Sequence, residues 1–246
     1  MLPRFYAPEL DADADRFSLS GDEARHLSRV LRLGTGAEVR VFNGRGLERA
    51  AIVDVLTRGE VVLQLGERVT PARELPFALT LVQAMLKGDA MDGVIRDATM
   101  LGVTAVQPAL AGRGEVPAAF VARRGRQDRW RRIAVSSAKQ CGRAVVPAVH
   151  EPAPFRDVLA GAGQGLVIVL TEPASAAAVA SPGDHRPQRD QPVAVFVGPE
   201  GGWTPEELSE AAAAGARFVT LGERTLRADA AALVALPVLL YAWGVL

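Results

Sequence analysis

The sequence predicts an α/β protein of two domains: a small β-barrel-like domain, then a larger one built on a parallel sheet. Three observations predict it. Up to Val69, apolar and polar residues mostly alternate, as they do in half-buried strands. "TPARELP" (70–76) carries two prolines and reads as a linker. Beyond Pro76, apolar strand-like runs alternate with helix-like runs, the pattern of a parallel sheet covered on both faces. The domains are expected at 1–72 and 73–246.

In the first domain, "AEVRVFNG" alternates and then turns at Asn43-Gly44, a hairpin signal. "ERAAIVDVLT" and "EVVLQLGERV" continue the strand pattern. One helix interrupts, "SGDEARHLSRVLRL", with Ser20 or Asp22 as its cap and Leu27, Val30 and Leu31 on one side. In the second domain the strands read as "FALTLVQAM", "VTAVQPAL", "GLVIVLTEP", "PVAVFVGPE" and "ARFVTLGER". The helices read as "GDAMDGVIRDATMLG", stopping at Gly102, and the basic "RGRQDRWRRIAVSSAKQCGR". Two more run from Pro205 to about Ala214 and from about Ala228 onward, and "SPGDHRPQRDQP" (181–192) is a polar loop.

Of 246 residues, 49% are hydrophobic and 23% charged, and 28 basic residues balance 28 acidic ones. That excludes a chain coated in positive charge, but not a local basic patch. Cys141 is the only cysteine, so no intrachain disulfide forms, which suits a reducing cytoplasm. The start, "MLPRFYAPELDADADRF", lacks a basic-then-apolar leader pattern. The apolar run 230–246 sits at the short edge of a membrane span, contains Pro237 and abuts Arg227 and Asp229. A buried core or dimer helix is the better reading. His26, His150 and His185 are scattered outside any metal-ligand spacing, so no metal is expected. Cys141, Trp130 and Trp243 read as packing residues.

Two glycine loops carry the candidate chemistry. "VGPEGGWTPEEL" (197–208) leads from a strand into a helix that Thr204 caps, with Pro205 at its first position and Glu207 completing a capping box. In such sheets ligands bind beyond the carboxyl ends of the strands. The spacing is neither GxGxxG nor GxxxxGK[ST], and Glu200 would face a phosphate. A ligand with a cationic centre and a flat base fits better, and S-adenosylmethionine is one. "LGERTLRADAAAL" (221–233) also follows a strand and opens an Ala-rich helix, with Gly222 permitting close backbone approach. Read from the residues alone, both loops could equally be ordinary strand–helix turns.

The paired loops resemble the C-terminal motifs of the SPOUT methyltransferases, and more closely those of the RsmE family, which methylates N3 of a uridine in 16S ribosomal RNA. "PRFYAPEL" and "HLSRVLRLGTGAEVRVFNGRG" resemble that family's PUA-like, RNA-binding domain. "KGDAMDGVIRDATMLGV" and "RWRRIAVSSAKQCGR" resemble its central motifs. Asp97, Met100 and Ala230 depart from the usual pattern, where Lys, Glu and Thr are common.

The resemblance implies a C-terminal trefoil knot, a homodimer, a cytoplasmic enzyme and an S-adenosylmethionine site. That site would use Leu170, Thr171, Glu172, Gly198, Glu200, Gly201, Gly202, Leu221, Gly222, Thr225 and Leu226. Removing the imino proton of uracil leaves an anion that Arg227 would stabilise, with Glu200 or Asp229 accepting the proton or orienting Arg227. Residues 113–143 carry nine cations against Glu115 and Asp128, an excess suited to phosphate contacts. Arg113, Arg124, Arg131, Arg132 and Arg143 are the candidates there, with Arg4, Arg29 and Arg32 in the first domain. The rival readings are a SPOUT enzyme acting on another RNA nucleotide, a cofactor-less RNA-binding module, and a nucleotide-phosphate-binding enzyme.

Overall fold

The computed structural model describes residues 2–116, 125–172 and 179–246. The chain divides into two compact units, one of residues 1–74 and 135–146, the other of residues 75–134 and 147–246. The break after Glu74 falls two residues beyond the expected boundary. Residues 135–146, expected in the second domain, belong to the first.

In the first unit, strands β1 (Arg4–Tyr6), β2 (Arg16–Ser20), β3 (Glu38–Phe42), β4 (Glu48–Leu56) and β5 (Glu60–Arg68) form one sheet in the order β1-β3-β4-β5-β2. Only β1 and β3 run parallel; the other pairs are antiparallel. The sheet's two ends do not pair with each other, so it is a curled half-barrel. Its inward face alternates as the sequence does, and Phe5, Leu19, Val39, Val41, Val53, Val61 and Leu63 fill it. The β3–β4 turn is five residues long rather than a two-residue Asn-Gly turn. Asn43 Oδ1 accepts the N–H groups of Arg45 and Leu47, at 2.8 and 3.1 Å, and so holds the loop.

The expected helix is shorter and irregular. Helix α1 (Gly21–Arg25) passes into a π-helical turn, His26–Val30. Neither candidate caps it through its side chain. The wider turn rotates the following residues outward. Leu27 is fully buried, but Val30 and Leu31 are 67% and 40% exposed, so the predicted common side does not exist.

The second unit is a parallel sheet. Strands β6 (Leu79–Ala84), β7 (Ala105–Leu110), β8 (Ala148–Val149), β9 (Ala153–Pro154), β10 (Leu166–Leu170), β11 (Val193–Val197) and β12 (Arg217–Val219) take the order β12-β10-β11-β6-β7-β8, with β9 also on β7. Its helices are α2 (Ala90–Met100), α3 (Arg126–Cys141), whose residues from Val135 on belong to the first unit, α4 (Phe155–Gly161), α5 (Pro205–Ala213) and α6 (Ala228–Ala242). One face buries Val82, Val169 and Phe196 with Phe155 and Leu159 of α4 and Ala211 of α5. Elsewhere α6 buries Leu236, Leu239 and Leu240, and Trp243 beyond it meets Phe77 edge-on at 5.7 Å. Trp130 is buried too, its indole N–H donating to Asp92 at 3.1 Å. No helix among the described residues is long and apolar enough to cross a membrane.

Candidate active site

The carboxyl ends of β10, β11 and β12 lie side by side, because β10 pairs with both neighbours in parallel. Three loops leave those ends and line an open cleft with a cavity volume of about 90 Å³. It is the crevice that a doubly covered parallel sheet offers to ligands.

Local sequence explains the cavity's shape. The capping box forms as expected: Thr204 Oγ1 accepts from the Glu207 N–H at 3.1 Å, and Glu207 Oε2 accepts from the Thr204 N–H at 2.8 Å. The Trp203 indole donates to the Leu170 carbonyl at 3.0 Å and packs against Phe155, so it ties the β10 and β11 loops together. Gly202 adopts φ +67°, a left-handed turn suited to glycine, and faces the Glu172 carboxylate.

Leu170, Thr171, Glu172, Gly198, Gly202, Leu221, Thr225 and Leu226 line the cavity. The Thr171 hydroxyl oxygen is buried without a hydrogen-bond partner among the described residues. A buried hydroxyl left unpaired is costly, so it fits a ligand's polar atom. Gly201 and Gly222 lie outside the lining, and so does Glu200, which is exposed. Among the described residues the carboxylate on the wall is therefore Glu172, two residues past the end of β10, rather than the one in the middle of the glycine motif. The sequence reading also missed Trp203, Arg224, Ala228 and Ala231 as lining residues. The strand–glycine–helix pattern points to the loops but not to which side chains turn inward.

A charged cluster adjoins these loops. Arg227 donates twice to Asp229, both bonds 3.0 Å, and is exposed. That hydrogen bond holds the Asp229 carboxyl below its ordinary range and raises Arg227, with Glu200 adding a smaller push on Arg227. Lys87 follows β6, which pairs with β11 in parallel, and donates to Glu115. Lys87 is raised first by that bond and least by Glu200. Glu200 thus lies within electrostatic reach of both cations.

The candidate RNA contacts separate into two kinds. Arg29, Arg32, Arg131 and Arg132 are exposed. Arg4 and Arg143 are buried, at 6% and 4% exposure, which removes them from that role. Arg4 holds Glu48 through two bonds of 2.8 and 2.9 Å and donates to the carbonyls of Ala138, Lys139 and Arg143. Arg143 pairs with Glu74 at 2.6 Å. Arg129 and Lys139 are also paired, with Asp92 and Glu23, so the segment's charge excess is smaller than its composition implies. Arg113 lines the cavity. Arg124 lies outside the described residues. Asp97 accepts two bonds from Arg96, and Met100 is exposed at the end of α2. No group of three or more His, Cys, Asp or Glu that could hold a metal occurs among the described residues.

A family model described as an RNA methyltransferase domain matches residues 73–240, and one described as an RNA methyltransferase PUA domain matches residues 19–66. The chain is similar to ribosomal RNA small subunit methyltransferase E of Synechocystis, 35% identical over 94% of this chain and 74% of that one. Among solved structures, it is similar to ribosomal RNA small subunit methyltransferase E of Neisseria gonorrhoeae bound to S-adenosyl methionine. That structure has a TM-score of 0.88 and 32% identity, covering 99% of this chain and 98% of that one. A methyltransferase of Legionella pneumophila in complex with the same cofactor has a TM-score of 0.88 and 28% identity, covering 98% of each chain.

Proposed function

We propose that this chain, which belongs to the ribosomal RNA small subunit methyltransferase E family, methylates N3 of a uridine in 16S ribosomal RNA with S-adenosylmethionine as donor. The observation that carries this reading is the cavity at the ends of β10, β11 and β12. Its wall offers Glu172 to a cationic ligand, a Thr171 hydroxyl unpaired among the described residues, and the Gly198 and Gly202 backbone. When bound, S-adenosylmethionine supplies an electrophilic methyl group.

This chain's residues do the rest. Uracil N3 becomes nucleophilic only when its imino proton leaves. Arg227 stabilises the negative charge that then spreads to the flanking carbonyl oxygens. Asp229 is held ionised by Arg227 and is a poor proton acceptor, so it orients the guanidinium. Glu200, exposed and without an ion-pair partner among the described residues, accepts the proton.

Arg29, Arg32, Arg131 and Arg132 grip phosphates and expose the target base. Val234, Val238 and Tyr241, at spacings of four and three on α6, are 40%, 39% and 78% exposed. That apolar stripe suits burial against a second copy, as in a homodimer. The C-terminal segment is knotted and the protein works in the cytoplasm in this reading. The experiment is transfer of labelled methyl groups to ribosomal RNA, free and in assembled small subunits. Incorporation into 16S RNA supports the reading, and incorporation only into other RNA favours a different nucleotide target.

A further inference from the structure

Among the described residues, Arg113 and Arg224 are the cations on the cavity wall, and Glu172 is its carboxylate. We propose that Arg113 binds the carboxylate of the cofactor's methionine tail and so selects ligands that carry that tail intact. The proposal rests on the cavity being the S-adenosylmethionine site.

Arg113 sits in the loop after β7, and that loop is pinned. Glu207, 9% exposed, accepts the Gly112 N–H through Oε1 at 2.8 Å and the Thr204 N–H through Oε2 at 2.8 Å. One carboxylate thus fastens the β7 loop to the β11 loop. The loops also touch: a Cβ on Gly201 would meet the Arg113 Cβ at 3.1 Å and its carbonyl oxygen at 3.2 Å. The Arg113 Nη1 then donates to the Gly201 carbonyl at 3.3 Å. This leaves its Nε–Nη2 edge without a partner among the described residues, and that edge is the geometry for a bidentate carboxylate.

Both arginines are exposed, but Arg224 makes no hydrogen bond or ion pair among the described residues. No described residue holds its side chain, so ordering it on a ligand costs rotamer freedom that Arg113 has already surrendered in part. Glu172 supplies the opposite charge, for the ammonium group. A zwitterionic tail therefore meets one complementary charge at each end.

Calorimetry on the full chain tests this with three ligands: S-adenosylmethionine, S-adenosylhomocysteine and methylthioadenosine. The last two are both thioethers and differ only in the amino-acid tail. Arg113→Gln should weaken the first two about 10- to 100-fold, the usual worth of a charged hydrogen bond. Methylthioadenosine should bind as it does to wild type, which also shows that the variant folds. Arg224→Gln should weaken S-adenosylmethionine and S-adenosylhomocysteine less than Arg113→Gln does. Equal weakening of all three by Arg113→Gln, or a larger tail-selective loss from Arg224→Gln, overturns the assignment. A wild-type chain that binds none of the three overturns the cofactor reading and this assignment with it.

Discussion

Arg227 and Asp229 face each other through two hydrogen bonds of 3.0 Å at the start of α6, with the arginine side chain exposed. An arginine held this way is aimed before the substrate arrives. Arg227→Ala should keep S-adenosylmethionine affinity while lowering kcat by about two to three orders of magnitude, as for a removed transition-state donor. The hydrogen bonds from Arg227 hold the Asp229 carboxyl below its ordinary value, so it stays ionised to lower pH than a free aspartate. Glu200→Gln removes the proposed proton acceptor and should lower kcat, and Asp229→Asn should lower it by releasing Arg227. Normal turnover by Arg227→Ala would make the pair structural.

Arg4 ties β1 to β4 and to the last turn of α3. Its side chain and that of Glu48 are 3% and 1% exposed. Breaking a buried pair leaves an uncompensated charge, so Arg4→Ala should cost about 3–5 kcal/mol. Urea melts measure it. The salt dependence of RNA binding should not change, because Arg4 reaches no phosphate.

Arg131 and Arg132 are exposed neighbours on α3. Neutralising both should flatten the slope of log affinity against log salt by about one to two units. Titration with 16S RNA over a range of salt checks this, and S-adenosylmethionine affinity should hold. An unchanged slope would mean that both are merely solvated.

Gly198 stands against Trp203: a Cβ there would meet the indole at 3.3 Å. Gly198→Val adds two further carbons and should displace the ring that ties the β10 and β11 loops. Loss of S-adenosylmethionine binding by calorimetry is expected, with thermal melts to show that the chain still folds. Wild-type affinity would remove this loop from the cofactor site.

Local signals made much of this legible in the sequence. The Thr204–Glu207 capping box, the apolar strands ending at Leu170 and Val197, and the helix starting at Ala228 all follow from short-range rules. Those rules place the loops, and so eight cavity residues. What they miss is long-range. Glu207 completes its capping box and also binds Gly112, 95 residues away. Arg4 and Arg143 look like solvated cations until Glu48 and Glu74 are brought to them. Helix α4 was missed although Phe155 and Leu159, four apart, carried a helical signal. The π-helical turn exposed Val30 and Leu31, which the 3.6-residue period assigns to one side.

The most direct measurement is mass spectrometry of 16S ribosomal RNA that lacks the modification, incubated with this protein and S-adenosylmethionine. The nucleosides are resolved, and the modified position is mapped by primer extension. The account predicts 3-methyluridine at a single position, where the methyl group blocks the pairing edge and halts the polymerase. A methyl group on a ribose or on another base, or no transfer at all from a cofactor-bound chain, would contradict it.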